Sequence, residues 1–293
     1  MISIIVPAYN EEAIIARGVR AMIDGARPGE LEVIVVCNGC TDRTADAARA
    51  VTGPVQVIET PIGSKANALN LGDNAANGFP RFFVDADVLI TLESVRQMAQ
   101  ALQQTGALAA GPAVEVDLSR ASWPVRAFYE IDNRLWATGD GIGHTGVYAI
   151  SEAGRARFKE FPLVTGDDAF VKRQFTDSER IGVPAAKSIV TPPATLWGLI
   201  RIKTRSHLGN YELDQRYPQL ATRQGDSHGS RLAALFSNPS LWLAIGVYVF
   251  VKILARIRAR WQLRLGSPQV WERDESSRIH SDVPFVQTRR ASD

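Results

Sequence analysis

Apolar residues fall along this chain in short runs divided by polar turns. Residues 2–6 and 31–36 are compact β-branched runs, which read as buried strands, and residues 55–58 read as a third strand. Between the first two, Ile14, Ile15, Val19, Met22 and Ile23 recur at helical spacing. That predicts a helix from near Asn10, acting as N-cap, to about Gly25. A second helix is expected from a cap at Thr41 or Asp42 to about residue 51. Strand, helix, strand, helix, strand implies right-handed crossovers over a parallel sheet. A third helix opens within 63–70, and a buried strand follows at 81–84. Residues 92–104 read as a helix and 147–150 as a strand. Phe170, Val171 and Phe175 follow an acidic pair at about helical spacing. The fold class is therefore α/β, with helices packed over a parallel sheet.

The C-terminal third has another pattern. Residues 241–251 form an unbroken apolar run, followed by Lys252, Arg256, Arg258, Arg260 and Arg264 with no acid among them. The run is short for a transmembrane helix of about 20 residues. A single span with its basic end in the cytosol would place the rest of the chain outside. An amphipathic helix lying at the interface on anionic lipid fits better, with a buried helix on the core or a second subunit as the alternative. Residues 271–293 are polar and mixed in charge, and much of that stretch reads as an arm or as disordered.

Composition narrows the classes. The 293 residues are 45% hydrophobic and 22% charged, which is ordinary for a globular chain with a large core. A net charge of +2 supplies no field for nucleic acid. Met1 leads straight into the first strand without a basic leader, so no signal peptide is expected and the N-terminal part should stay in the cytosol. The two cysteines, Cys37 and Cys40, form Cys-x-x-Cys in a βαβ setting, where a redox motif must be weighed. No second thiol pair completes a zinc site, and Asn-Gly between them suits a tight turn, so they read as small residues beneath it.

The chemistry gathers where strands should end. Asp85 and Asp87 stand two apart after an apolar strand, and in an open α/β sheet ligands sit at the carboxyl ends of strands. Two such acids in an extended segment point the same way and can hold a hard divalent cation, Mg²⁺ or Mn²⁺. The alternative is a solvated turn with one acid capping a helix. Lys65 lies near the start of a helix, where amides and a cation favour phosphate, although the spacing of an ATPase phosphate loop is absent. Residues 139–146 are glycine-rich and contain His144, which could face a sugar, a phosphate or water. Asp167 and Asp168 open another helix, as either a cap or a second acidic centre. Arg201 and Arg205, four apart, share a face if that stretch is helical.

Four of these motifs, in this order, resemble those of family 2 glycosyltransferases: Val6-Pro7-Ala8-Tyr9-Asn10-Glu11-Glu12, Asn38-Gly39-Cys40-Thr41-Asp42, Lys65 with Ala68-Leu69-Asn70, and Asp85-Ala86-Asp87. Each is weak alone, but together over about ninety residues they are specific. The resemblance is strongest over residues 1–176. It implies a GT-A-like (Rossmann-like) α/β fold, a mostly parallel mixed sheet flanked by helices with a C-terminal helical region, and inverting transfer from a nucleotide-diphospho-sugar with a divalent metal. By the match, Asp85 and Asp87 bind metal, and Pro7, Ala8, Tyr9, Asn10, Glu12, Asn38, Lys65 and Ala86 line the nucleotide-sugar site with them. Asp168 is the general base with Asp167 its neighbour. The 139–146 segment resembles the family's acceptor-side loop, with His144 counted among the residues that contact the nucleotide-sugar, and Arg201 and Arg205 reach toward the diphosphate. Two positions depart from the family. Cys37 stands where many members have a base-binding aspartate, which leaves uridine or guanosine open and would pass the contact to Asn38. The common Gln-x-x-Arg-Trp motif is missing, with Thr204-Arg205-Ser206 a looser match.

The expected organisation is a catalytic domain over 1–195, with a nucleotide half to about 90 and an acceptor half beyond. A helical, membrane-associated or core-packed region over 196–265 and a polar tail over 266–293 follow. The expected acceptor is a glycan or lipid-linked intermediate of a surface polysaccharide. Peripheral membrane contact falls to 235–264, at the inner face of the cytoplasmic membrane, with a homo-oligomer left open. Two rivals remain: a sugar-phosphate nucleotidyltransferase, which would usually carry a glycine- and arginine-rich loop after the first strand, and a non-catalytic nucleotide-sugar-binding scaffold.

Overall fold

The computed structural model describes residues 1–136, 142–143, 146–221 and 228–265. The strands are β1 (Ile2–Ala8), β2 (Leu31–Asn38), β3 (Val55–Thr60), β4 (Arg81–Val84), β5 (Val88–Ile90), β6 (Ala109–Val116), β7 (Val147–Ile150) and β8 (Arg180–Val190). The helices are α1 (Ile15–Ile23), α2 (Thr44–Arg49), α3 (Lys65–Ala75), α4 (Leu92–Thr105), α5 (Trp123–Trp136), α6 (Glu152–Arg155), α7 (Asp167–Lys172), α8 (Leu196–Arg216), α9 (Pro218–Ala221), α10 (His228–Leu235) and α11 (Trp242–Arg264).

The strands form one eight-stranded sheet in the order β3-β2-β1-β4-β7-β6-β8-β5. β3, β2, β1 and β4 run parallel, as the βαβ pattern predicts. Beyond them β7 is antiparallel to both β4 and β6, and β6 and β8 are parallel. The sheet is mixed because the chain re-enters it at β7, beside β4.

Alternation along the strands divides the core. Ile4, Val6, Val33 and Val35 pack toward α1, α2 and α4, with Val19, Met22 and Met98. Ile5, Ile34, Val36 and Phe83 face the other way, onto α3 and α7, with Leu69 and Phe170. Successive strand residues point to opposite faces, so burial on both sides makes near-continuous apolar runs.

A third cluster joins the C-terminal helices to α5. Val125, Phe128 and Ile131 meet Leu199, Ile200, Ile245, Tyr248 and Val251 there.

The first helix differs from expectation. It begins at Ile15, and Ile14 rather than Asn10 holds the cap position. Asn10 takes a φ of 52°, the left-handed region that Asn tolerates better than most residues. Its side chain is spent across the turn: Thr41 N–H donates to Asn10 Oδ1 at 2.7 Å, and Asn10 Nδ2 donates to Thr41 Oγ1 at 3.1 Å. Likewise α2 starts at Thr44, and Asp42 accepts from Thr44 N–H at 3.0 Å.

Candidate active site

Two loops build one wall. The loop after β1 and the loop after β2 are tied by the Asn10–Thr41 exchange, by Glu11 N–H to Thr44 Oγ1 at 2.7 Å, and by Arg43 N–H to Glu12 Oε2 at 2.8 Å. Asn38 is buried and its side-chain amide donates to Ala8 O at 2.7 Å, stapling the ends of the two strands. Gly39, at φ 64°, has its Cβ position 2.9 Å from Gly63 Cα, so a side chain there would push the loop away from the turn before α3. Pro7 and Ala8 lie within β1, and Tyr9 is exposed beside them.

The Cys37 and Cys40 thiols are free. Cys37 is buried, and its thiol is pushed up to about 12, first by that burial and then by Cys40 and Glu59. The sulfur stays a thiol, as packing requires and redox chemistry does not.

Asp85, Ala86 and Asp87 occupy a turn between β4 and β5, not an extended segment. Val88 N–H donates to Asp85 O at 3.0 Å and closes it. The carboxylates therefore owe their places to the turn rather than to strand alternation. Gly146 presses on this turn. Its carbonyl accepts from Asp85 N–H at 2.8 Å, and at φ 62° its Cβ position lies 2.4 Å from Val88 Cγ2. Only glycine allows that approach.

Lys65, at the first position of α3 behind the Ser64 cap, joins the acidic centres. Its Nζ lies 2.5 Å from Asp85 Oδ1 and 2.9 Å from Asp167 Oδ1. Burial alone would lower the ammonium, but the charges of Asp167 and Asp85 more than reverse it and its pKa is raised. Asp85 is pushed up to about 6, chiefly by burial; Lys65 pulls it down, and Asp167 and Asp87 add repulsion that pushes it up. Two carboxylates, Asp85 and Asp167, share the one Lys65 ammonium.

Asp167 and Asp168 sit in the first turn of α7, with Gly166 in the cap position. Their carboxylates face the positive end of that helix. Asp167 is buried, and Tyr148 Oη donates to its Oδ2 at 3.3 Å. Tyr148 titrates well above its ordinary value because it is buried and because Asp167, Asp85 and Asp168 surround it.

The loop before α7 is gripped by α8. Glu212 Oε2 accepts from Thr165 N–H at 3.1 Å and from Thr165 Oγ1 at 3.2 Å. Gly209 packs on Gly166, its Cβ position 3.2 Å from Gly166 N. Arg216 donates to Leu163 O at 2.9 Å and pairs with Glu212 at 3.2 Å. Arg201 and Arg205 lie on the same α8 stripe, and Arg205 is one turn from Gly209, so the helix carries it toward the acidic pair.

Sequence reasoning missed Tyr148, Gly209 and Glu212. Tyr148 looks like core in a four-residue buried strand. Glu212 lies 47 residues from its partner, with no local signal. Only a glycine inside a helix hinted at close contact. His144 and most of the glycine-rich segment, 139–141 and 145, lie outside the described residues, as does 271–293.

Asp85 and Asp87 offer hard carboxylate oxygens, which suit Mg²⁺ or Mn²⁺. Among the described residues no three His, Cys, Asp or Glu are grouped to hold an ion alone. The donor set therefore fits a cation that takes its remaining ligands from a bound diphosphate and water.

A family model described as glycosyl transferase family 2 matches residues 3–173. A curated relative, the probable glycosyltransferase YdaM of Bacillus subtilis (strain 168), is 33% identical over 94 residues, which is 29% of this chain and only 22% of that protein. Among solved structures, the mannosyltransferase PcManGT from Pyrobaculum calidifontis, in complex with GDP-Man and Mn²⁺, has a TM-score of 0.58 and 22% identity, over 91% of this chain and 79% of that one. The glucosyl-3-phosphoglycerate synthase of Mycobacterium tuberculosis, in complex with Mn²⁺, UDP and glucosyl-3-phosphoglycerate, has a TM-score of 0.52 and 19% identity, over 78% and 81%. At these identities the likeness is one of fold.

Proposed function

We propose that this chain, which belongs to glycosyl transferase family 2, moves a sugar from a nucleotide-diphospho-sugar to an acceptor hydroxyl with inversion. The observation that carries the reading is the Lys65 bridge. It makes one site of Asp85 and Asp167, which lie in separate motifs.

The roles follow from position. The cross-tied loops, with Pro7, Ala8, Tyr9, Asn10, Glu12 and Asn38, cradle the nucleoside. Asp85 and Asp87 would hold Mg²⁺ or Mn²⁺, which would supply charge to stabilise the leaving diphosphate. Lys65 adds a cation on the same side, and Arg201 and Arg205 approach from α8. Asp168 takes the proton from the acceptor hydroxyl as its oxygen attacks the anomeric carbon and the bond to the diphosphate breaks. Asp167 fixes Lys65 and Tyr148 beside it. His144, in the segment that resembles the family's acceptor-side loop, contacts the sugar or a phosphate. The acceptor is a glycan or a lipid-linked intermediate of a surface polysaccharide, and the work is done in the cytoplasm at the membrane's inner face.

The test pairs binding with transfer. Thermal shift with UDP, GDP, dTDP and CDP, each with and without Mn²⁺, is run on wild type and Asp87→Ala. Stabilisation by one nucleoside diphosphate that needs Mn²⁺ and is lost in Asp87→Ala is expected. Asp168→Asn should keep that stabilisation and lose transfer by about 10²–10⁴-fold. Stabilisation indifferent to Mn²⁺ and to Asp87 would sink the metal assignment.

A further inference from the structure

Helix α11 has two faces of opposite use. Ala244, Ile245, Tyr248, Val251, Ala255 and Ala259 are buried, against α5 and α8. Phe128 stacks on Tyr248 at 5.0 Å. Turned about half a revolution away, Leu243, Phe250, Ile253, Ile257 and Trp261 are all more than half exposed. Trp242 is exposed at the other end of the stripe. Lys252, Arg256, Arg260 and Arg264 recur four apart and flank it, and no acid occurs from 228 to 264.

By length and composition, 239–264 could cross a bilayer. The packing argues against a span. Crossing would strip α11 from α5 and α8 or carry them along, with the Lys203–Asp132 pair, 3.7 Å apart, that lies between those two helices. Charges inside hydrocarbon are costly. A helix that keeps one face on protein for its whole length, about 35 Å, can instead lie in the membrane plane.

We infer that the outer face of α11 is a membrane-docking surface, with its apolar stripe in the acyl–headgroup boundary and its basic row on anionic lipid headgroups. The charge pattern selects this occupant. A second copy joined by a two-fold axis would set basic rows against one another. Anionic headgroups complement the row, at about 1 kcal/mol for each basic residue near the surface. Trp242 and Trp261, at the two ends of the stripe, suit headgroup depth. The inference rests on the transferase reading only for which side of the membrane is met; lipid contact itself does not depend on it.

The experiment is flotation of the full chain with vesicles of phosphatidylcholine alone or mixed with phosphatidylglycerol, without donor. Binding is expected to be at least about tenfold stronger on the anionic vesicles and to weaken with salt. The triple variant Phe250→Ser, Ile253→Ser, Ile257→Ser and the double variant Arg256→Glu, Arg260→Glu should each lose it. All five positions face solvent, and an unchanged melting temperature shows that the variants fold. Failure of wild type to float, or undiminished binding by the charge-reversed form, overturns the inference. So does a dimer in sedimentation velocity that the triple serine variant abolishes, which would give the face to a second copy. In a Phe250→Trp variant, lipids brominated near the headgroup should quench the fluorescence added at mid-stripe; quenching only by lipids brominated at the chain ends would mean a span and overturn it. Loss of nucleotide binding with flotation intact would count against the transferase reading alone.

Discussion

Lys65 Nζ stands 2.9 Å from Asp167 Oδ1, and the same nitrogen reaches Asp85 at 2.5 Å. The first turns of α3 and α7 therefore share one charge centre with the turn after β4. Every assignment at the site depends on that convergence.

Its pH dependence has a definite sign. Asp85 titrates at about 6 in the folded chain against an ordinary 3.8. Between those values the folded form holds more protons, so the stability Asp85 contributes is greatest below 3.8 and is lost as pH rises through about 6. Lys65→Met leaves Asp85 and Asp167 facing each other without a cation. That raises the folded Asp85 value further and carries the loss to higher pH. The variant should melt below wild type at pH 8, and the gap should be about 2–4 °C wider there than at pH 5. Melting curves at the two pH values decide it, and a gap that does not move with pH would mean that Lys65 does not carry the balance.

Glu212 acts on Asp167 and Asp168 through the backbone of Thr165. Glu212→Ala leaves the Thr165 N–H unmatched and frees the loop that starts α7. A displacement of about 1 Å at reacting groups can cost about 10²-fold. The expected result is a fall of kcat by about tenfold or more with the donor KM little changed. Glu212→Gln, which keeps an acceptor oxygen, should restore most of it. Equal losses in both variants, or a loss confined to KM, would remove Glu212 from a positioning role.

Asp73 is a stability residue. Its carboxylate pairs with Arg81 at 2.6 Å and with Arg155 at 2.7 Å, and it is 3% exposed. This ties α3 to β4 and α6. Asp73→Ala strands two largely buried guanidinium groups, and breaking such a pair costs about 3–5 kcal/mol. Urea unfolding should show that loss, and a change under about 1 kcal/mol would refute it.

Cys37 should be inert in the native chain. With its thiol pushed up to about 12, almost no thiolate exists at neutral pH. Brief iodoacetamide treatment at pH 8 followed by mass analysis should find Cys37 unlabelled until urea is added. Native labelling of Cys37, or a disulfide with Cys40, would restore the redox reading.

Much of the scaffold was legible locally. The β-branched runs at β1 and β2 are buried on both faces, and such strands announce themselves as continuous apolar stretches. β3 is the expected third strand, but it lies at the sheet edge, where only Thr60 of its residues is buried. Residues 147–150 form the expected strand, and Leu92 opens the expected helix. The ordered motifs also led to family 2. Helix starts were less legible. Asn10 has the chemistry of a cap but spends it on Thr41, and nothing nearby in sequence says that Thr41 is within reach.

The chain order of its own residues determined the α/β alternation, the family, and which carboxylates and lysine deserve notice. These rest on hydrophobic period and short motifs, which act over a few residues. Tertiary structure alone decided that Asp85 and Asp87 stand on a turn, that Lys65 spans two acidic centres, and that Glu212 grips the loop before α7. It also decided that α11 gives one face to protein and keeps the other outside. Those facts depend on contacts between residues far apart in the chain, made when sheet and helices pack. Neither periodicity nor motif spacing carries information over that separation.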